Sequence, residues 1–336
     1  MEYQASKTRY ETMRYVRCGK SGLKLPCISL GLWQNFGTYN DFEAMRAMLR
    51  TAFDGGVTHF DMANNYGPVP GSAEENFGRL FAQDFKSHRD ELILSSKAGY
   101  AMWDGPYGDF GSRKSLLASL DQSLKRTGLS YFDIFYHHRM DAQTPLEETM
   151  GALATAVQSG KALYVGLSNY DGATAKRAAA ILKELRCPFV LHQNRYSIFD
   201  RTMIKNGLRD AAIADGQGII AFSPLAQGLL TSRYLNGVPE GSRMDKNETQ
   251  KTAFLKKEVL TPEKLKQLHA LDSFAANRGQ TLAQLALTWV LSDSAVTSVL
   301  IGASSAQQVR ENLGVQAAPA LMPDELRRIE EIVGGE

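Results

Sequence analysis

The stretch His59-Phe60-Asp61-Met62-Ala63-Asn64-Asn65-Tyr66-Gly67 runs as a short strand-like segment into an aspartate, with a tyrosine five positions beyond it. Two later stretches follow the same course. Leu92-Ile93-Leu94-Ser95-Ser96-Lys97 finishes on a lysine, and Phe132-Asp133-Ile134-Phe135-Tyr136-His137-His138 on a histidine pair. If these are neighbouring strands of one parallel sheet, Asp61, Tyr66, Lys97 and His138 meet at its edge.

The rest of the chain extends this rhythm. Short apolar runs predict strands at 28–32, 57–61, 91–96, 132–137, 162–167, 188–193, 218–222 and 297–301. Helical periodicity fills the gaps near 41–55, 73–86, 113–128, 146–159, 172–185, 204–215, 261–278, 281–292 and 306–314. Alternation of this kind is the signature of βαβ units and a parallel sheet. Ser72, Ser112 and Thr144-Pro145 are suited to start helices, and Gly55-Gly56, Gly128 and Gly160 to stop them. The repeated β-then-α unit predicts a single-domain (β/α)8 TIM barrel, with its chemistry at the C-terminal ends of the strands. A doubly wound open sheet is the alternative, but no G-x-G-x-x-G follows the first strand, and Gly105, Gly108 and Gly111 have the wrong spacing. Met13–Arg17 and Leu23–Leu30, joined by Cys18-Gly19-Lys20-Ser21-Gly22, read as a hairpin capping the far end of the barrel. Residues 1–12 read as a loose arm, and 229–260 as a long insertion after the seventh strand.

Composition narrows the function classes. With 38 basic and 36 acidic side chains, no global charge draws the chain to nucleic acid or to an anionic membrane. No apolar run reaches the ~18 residues of a membrane span, and the polar start is unlike a signal peptide. Three cysteines, Cys18, Cys27 and Cys187, with no C-x-x-C and no zinc-type histidine spacing, suit a reducing cytoplasm and suggest no metal site.

Taken singly, Asp61 reads as a cap or ion-pair partner, Tyr66 as a packed aromatic, Lys97 as a surface lysine and His138 as a core histidine. Gathered at three strand ends they form a device for giving a proton to a carbonyl. A phenol is a weak acid at neutral pH, and an ammonium beside it lowers its pKa. Lys97 supplies that charge, Asp61 balances a buried lysine, and a neutral His138 donates a hydrogen bond to the carbonyl oxygen.

DMANNYG, SSKAG and the DIFYHH strand resemble the corresponding motifs of the aldo-keto reductases, and the likeness extends over residues 13–316. The resemblance implies Tyr66 as general acid, Lys97 and Asp61 as its tuners, and His138 as substrate orienter. It also implies NADPH bound in extended form without a Rossmann fold. Ser168, Asn169 and Gln193 resemble the residues that clasp the nicotinamide carboxamide, and Phe222-Ser223-Pro224-Leu225 the stacking and phosphate segment. Gln227, Gly228, Arg233 and Arg243 lie in the belt over the dinucleotide, and Ser304, Gln308 and Asn312 in the motif for the adenosine end. At that end Gly302 and Gln308 stand where many relatives have basic residues for the 2′-phosphate.

GLWQNFG, NNYGPVPGSAEENFG, GSRKSLLASLDQSLKR and LAQGLLTSRYLNG resemble a bacterial branch of the family acting on small aldehydes, glyceraldehyde 3-phosphate and methylglyoxal among them. Substrate walls would come from Trp33, Tyr66, Trp103 and Tyr107, with Trp33 also near the cofactor, and Arg139 or Arg113 would meet a substrate phosphate. The branch also resembles the β subunits of voltage-gated potassium channels, so a nucleotide-sensing partner subunit is a second reading. A Schiff-base lyase using Lys97 as nucleophile is a third. Relatives of this kind suggest a homo-oligomer, tetramer or octamer.

Overall fold

In the computed structural model of the chain, which describes residues 3–240, 242, 244–245 and 255–334, eight parallel strands close into a barrel. A hairpin precedes it, β1 (Tyr15–Arg17) with β2 (Lys24–Pro26), paired antiparallel with Tyr15 opposite Pro26. The barrel strands are β3 (Ile28–Gly31), β4 (His59–Asp61), β5 (Ile93–Ala98), β6 (Phe132–His137), β7 (Ala162–Ser168), β8 (Phe189–Arg195), β9 (Gly218–Phe222) and β10 (Val296–Ile301). β10 closes onto β3.

The helices follow from the pattern. α1 (Phe42–Asp54) buries Met45, Met48, Leu49, Ala52 and Phe53, one stripe at the 3.6-residue period, and Asp41 caps it by accepting from the Ala44 N–H. α2 (Ser72–Leu80), α3 (Arg113–Thr127), α4 (Leu146–Gln158), α5 (Gly172–Glu184), α6 (Thr202–Lys205), α7 (Leu208–Asp215), α8 (Pro262–Asn277), α9 (Leu282–Leu291) and α10 (Ala306–Leu313) follow, the single helix expected over 204–215 being divided into α6 and α7 at left-handed Gly207. Ser112 caps α3, and Gly128 ends it in the left-handed conformation. At α2 the cap is Gly71, with Ser72 already helical, and at α4 it is Pro145, with no side-chain bond. A last helix, α11 (Pro323–Val333), lies beyond the expected elements. None of the described helices is long and apolar enough to cross a membrane.

Two expectations change. The second hairpin segment, read as one run over Leu23–Leu30, breaks at Cys27, whose N–H returns to the Arg14 carbonyl, so β2 and β3 are separate strands. The arm is held, not loose, over its described residues. Tyr3 and the Ser6 N–H bond Asp54, while Arg9 and Tyr10 both bond Glu91.

The hairpin plugs the barrel from below, where Leu23 and Leu25 pack with Ile134, Tyr136, Leu191 and Ile220 from the strands. Around the closed sheet the interior is uneven. β6, β8 and β9 fill their side with apolar groups, whereas β10, β3, β4 and β5 send in Ser298, Ser29, His59 and Ser95, all fully buried. TIM barrels usually fill this space with bulky apolar residues.

Register fixes the heights. Asp61 pairs with Ser95, Lys97 with Tyr136, and Tyr136 with Gly166. Gly166 leaves room for the Tyr136 ring, because a Cβ there would lie 2.4 Å from its Cε1. Gly166→Ala is therefore expected to destabilise the barrel by about 1–3 kcal/mol, the usual cost of overpacking, read by urea unfolding. An unchanged midpoint and slope would show that the ring shifts freely.

Candidate active site

Asp61 ends β4, Lys97 lies near the end of β5, and His138 follows β6 by one residue. Tyr66 stands on the loop after β4, its N–H bonded to the Ala63 carbonyl. Parallel register brings the four together at the barrel mouth. Lys97 is wholly buried, and its three N–H groups each have a partner: Asp61 Oδ2 at 2.5 Å, the Met62 carbonyl at 2.7 Å and Tyr66 Oη at 3.4 Å. Asp61 also accepts at Oδ1 from Ser95 Oγ at 2.7 Å and Gln193 Nε2 at 3.1 Å. Since Tyr66 Oη receives from the ammonium, its own proton is left to point elsewhere.

The electrostatics differ from the sequence expectation at one point. Lys97 does not draw the phenol down. Burial pushes Tyr66 well above its ordinary value, and the Asp61 charge and Tyr100 add to the rise. Burial is the first cause, and the carboxylate 2.5 Å from the ammonium offsets part of its charge. Burial holds Lys97 below its usual range against the pull of Asp61. His138 sits well below 6.5, from burial first and then the charges of Lys97, His137 and Arg139, so its ring is neutral. His138 Nδ1 is buried with no partner, and the Tyr66 and Tyr100 rings stand edge-on to the imidazole at 5.8 and 4.6 Å.

The next strands supply amides and a hydroxyl. Asn169 Nδ2 donates to the His138 carbonyl and to Ser168 Oγ, and Ser168 Oγ donates to the Gln193 carbonyl. Beyond β9 the backbone takes left-handed angles at Ser223, Ala226 and Gln227, rare for residues with a Cβ and concentrated at functional sites. Gln227 Oε1 is buried there without a partner. Phe222 lies under the Arg195 guanidinium, 5.8 Å from its carbon. At β10, Ser304 donates twice to Gln308 Oε1, the neighbouring Ser305 caps α10, and Asn312 is buried. Leu225 and Gly228 lie in the turn after β9, Arg233 is exposed, and Arg243 lies outside the described residues.

Trp33 stands 6.2 Å from the Tyr66 ring. Tyr107 is 49% exposed with the Lys114 ammonium over it, and Trp103 is half-buried on the same loop. The two arginines considered for a phosphate are both engaged. Arg139 bonds the Gly99 carbonyl and Asp109, with its guanidinium between the Tyr100 and Phe110 rings. Arg113 reaches the Gly151 carbonyl, and Glu148 already accepts from its backbone N–H, so a carboxylate occupies the α3 N-terminus where an anion was expected.

Tyr100 and His59 escaped the sequence reading, which gave His137 no role. Tyr100 packs on His138, and His137 turns outward, its Nδ1 2.7 Å from the Tyr170 hydroxyl. His59 lies inside the barrel between Ser29 and Ser95. Its place two residues before Asp61, on the same inward face of a strand, was the available signal.

The model of the aldo/keto reductase family matches residues 27–333. The chain belongs to the aldo/keto reductase family. It is 56% identical to L-glyceraldehyde 3-phosphate reductase of Escherichia coli (strain K12), over all of this chain and 97% of that protein. It is also 35% identical to a probable voltage-gated potassium channel subunit beta of Arabidopsis thaliana, over 96% of this chain and 97% of that protein. As a member of the family, the chain is an oxidoreductase.

Lys97 and Asp61 stand or fall together, because removing the ammonium strands a carboxylate in a dry core. Lys97→Met is expected to cost about 3–5 kcal/mol of stability, and the double variant Asp61→Asn with Lys97→Met to regain a large part of it. Chemical denaturation checks both, and a double variant no better than the single one would mean that the pair is not the source of the loss.

Proposed function

We propose that the protein reduces small aldehydes with NADPH, L-glyceraldehyde 3-phosphate and methylglyoxal among them, with Tyr66 giving the proton. The observation that carries this reading is Lys97 bonded at once to Asp61 and to the Tyr66 hydroxyl, with neutral His138 beside the phenol. The 56% identity to a named reductase supports the same substrate class, and outweighs the 35% likeness that supports a nucleotide-holding channel subunit.

The donor set fits a nicotinamide dinucleotide. The strained turn after β9 with its orphaned Gln227 oxygen lies on the same rim as the Ser168, Asn169 and Gln193 cluster. In this reading Asn169 Oδ1 and Gln193 Oε1 would meet a carboxamide N–H, and Phe222 would stack on the ring. Ser223, Leu225, Gln227, Gly228 and Arg233 would line the phosphates, while Ser304, Gln308 and Asn312 would hold the adenosine end. Ser304 and Gln308 bring no charge, so they would favour the 2′-phosphate through neutral hydrogen bonds alone. When bound, the nicotinamide supplies the hydride that no side chain of the protein can.

The protein's own groups handle the proton and the orientation. His138, with Nδ1 buried and unpartnered, would carry its proton on Nε2 and donate it as a hydrogen bond to the carbonyl oxygen. Tyr66 holds its proton at neutral pH and would release it as charge develops on that oxygen. Lys97 would then stabilise the phenolate left behind, and Asp61 keeps the lysine charged. Trp33 and Tyr100 would wall the pocket beside Tyr66 and His138.

Tyr66→Phe is expected to abolish reduction while leaving NADPH binding nearly intact, measured by steady-state rates and fluorescence titration. A general acid contributes ~10²–10⁴-fold, so residual turnover above about one part in a hundred would remove Tyr66 from the role. Arg139→Ala should lower activity on glyceraldehyde 3-phosphate more than on glyceraldehyde if a substrate phosphate displaces Asp109 from the guanidinium. An unchanged preference assigns Arg139 to holding the 99–111 loop.

A further inference from the structure

A chain of buried polar groups crosses the barrel beneath the site. Ser298 Oγ lies 2.7 Å from Ser29 Oγ, Ser29 Oγ 2.8 Å from His59 Nδ1, His59 Nε2 3.0 Å from Ser95 Oγ, and Ser95 Oγ 2.7 Å from Asp61 Oδ1. All five residues are fully buried, on β10, β3, β4 and β5. Ser298, Ser29, His59 and Ser95 stand where a barrel interior ordinarily carries apolar side chains, so their polarity on one side calls for a reason.

The direction of every bond follows from its end. The carboxylate of Asp61, paired with Lys97, can only accept, so the single Ser95 proton goes to Asp61. Ser95 must then accept from His59, which places that ring's proton on Nε2. Burial pushes His59 down to about 4, so the ring is neutral and Nδ1 has no proton. Nδ1 therefore accepts from Ser29, whose own proton is thereby used, and Ser298 donates to Ser29. Four dipoles in line present their positive ends to one carboxylate oxygen, and bonds in such a chain strengthen one another.

We propose that His59 is a positioning residue for the reaction: through Ser95, and braced by Ser29 and Ser298, it holds Asp61 as an oriented carboxylate and so keeps Lys97 charged beneath Tyr66. The role in catalysis rests on the reading of Tyr66 as proton donor, whereas the direction of the chain does not. The titratable groups facing Asp61 are His59 on its own strand, Lys97 from β5, Tyr136 from β6 and Tyr66 from the loop.

Two measurements test it. In ¹⁵N-histidine-labelled protein, with the His59 signals assigned by their loss in His59→Gln, His59 should show protonated Nε2 and unprotonated Nδ1 at neutral pH. A ring protonated at Nδ1 would overturn the chain whatever the enzyme reduces. In the second, kcat/KM is followed against pH. Ser95→Ala and His59→Phe loosen the carboxylate that holds the charge of Lys97, a group also faced by Glu74, Tyr66, Tyr136, His59 and His138, so Lys97 gives up its proton at lower pH and the alkaline limb should move down by about one unit. His59→Gln, whose amide N–H can reach Ser95, should restore the limb towards the wild-type position. A uniform loss across pH, with no movement of the limb in Ser95→Ala, would make the chain a packing feature and overturn the positioning role. Absence of aldehyde reduction in the wild type would instead overturn the proposed function and leave the labelled spectra to judge the chain.

Discussion

A charged pair sealed in a dry barrel sets the terms for everything near it. Lys97 and Asp61 are fully buried, and a charge of either sign is costly to bury without its partner. Their mutual contact uses one oxygen and one proton, and the remaining valences must be met from elsewhere. The Met62 carbonyl and the Tyr66 hydroxyl take the other lysine protons, while Ser95 and Gln193 serve the second carboxylate oxygen. These demands reach β4, β5 and β8 directly, and β3 and β10 through His59. They explain why one side of the barrel interior is polar and the other an ordinary apolar filling sealed by the hairpin.

Much of this was legible in the sequence because a parallel barrel repeats one unit. Apolar runs of strand length, each followed by an amphipathic helix, leave little choice of architecture, and strand ends leave little choice for where Asp61, Lys97 and His138 converge. Local sequence failed where a partner distant in the chain decides. The first residues looked like a free arm because nothing near them is apolar, yet Asp54 and Glu91 hold them. Cys27 split an apparently continuous strand because its N–H answers to Arg14.

The same reason separates the residue identities of the site from its electrostatics. The spacing identified a tyrosine and a lysine in reach of each other, but the phenol's rise is set first by its burial and then by the Asp61 charge, neither of which spacing reveals. Arg139 and Arg113 were read as free cations, and each proved engaged by a group about thirty residues or more away. His59 was visible only as one more residue of a strand. Its meaning required knowing which residues of β3 and β5 stand at the same height.

The tethered arm and the hairpin lie at the end of the barrel opposite the reacting groups. Tyr3 and Ser6 join the chain's start to the end of α1, Arg9 and Tyr10 join it to the approach to β5, and Tyr15 bonds the Gly56 carbonyl ahead of β4. The two strands that carry Asp61 and Lys97 are thus anchored from beneath by a single stretch of chain. The strands that hold the buried pair are fixed from the end remote from the mouth, so loops around the mouth can vary in sequence without loosening them.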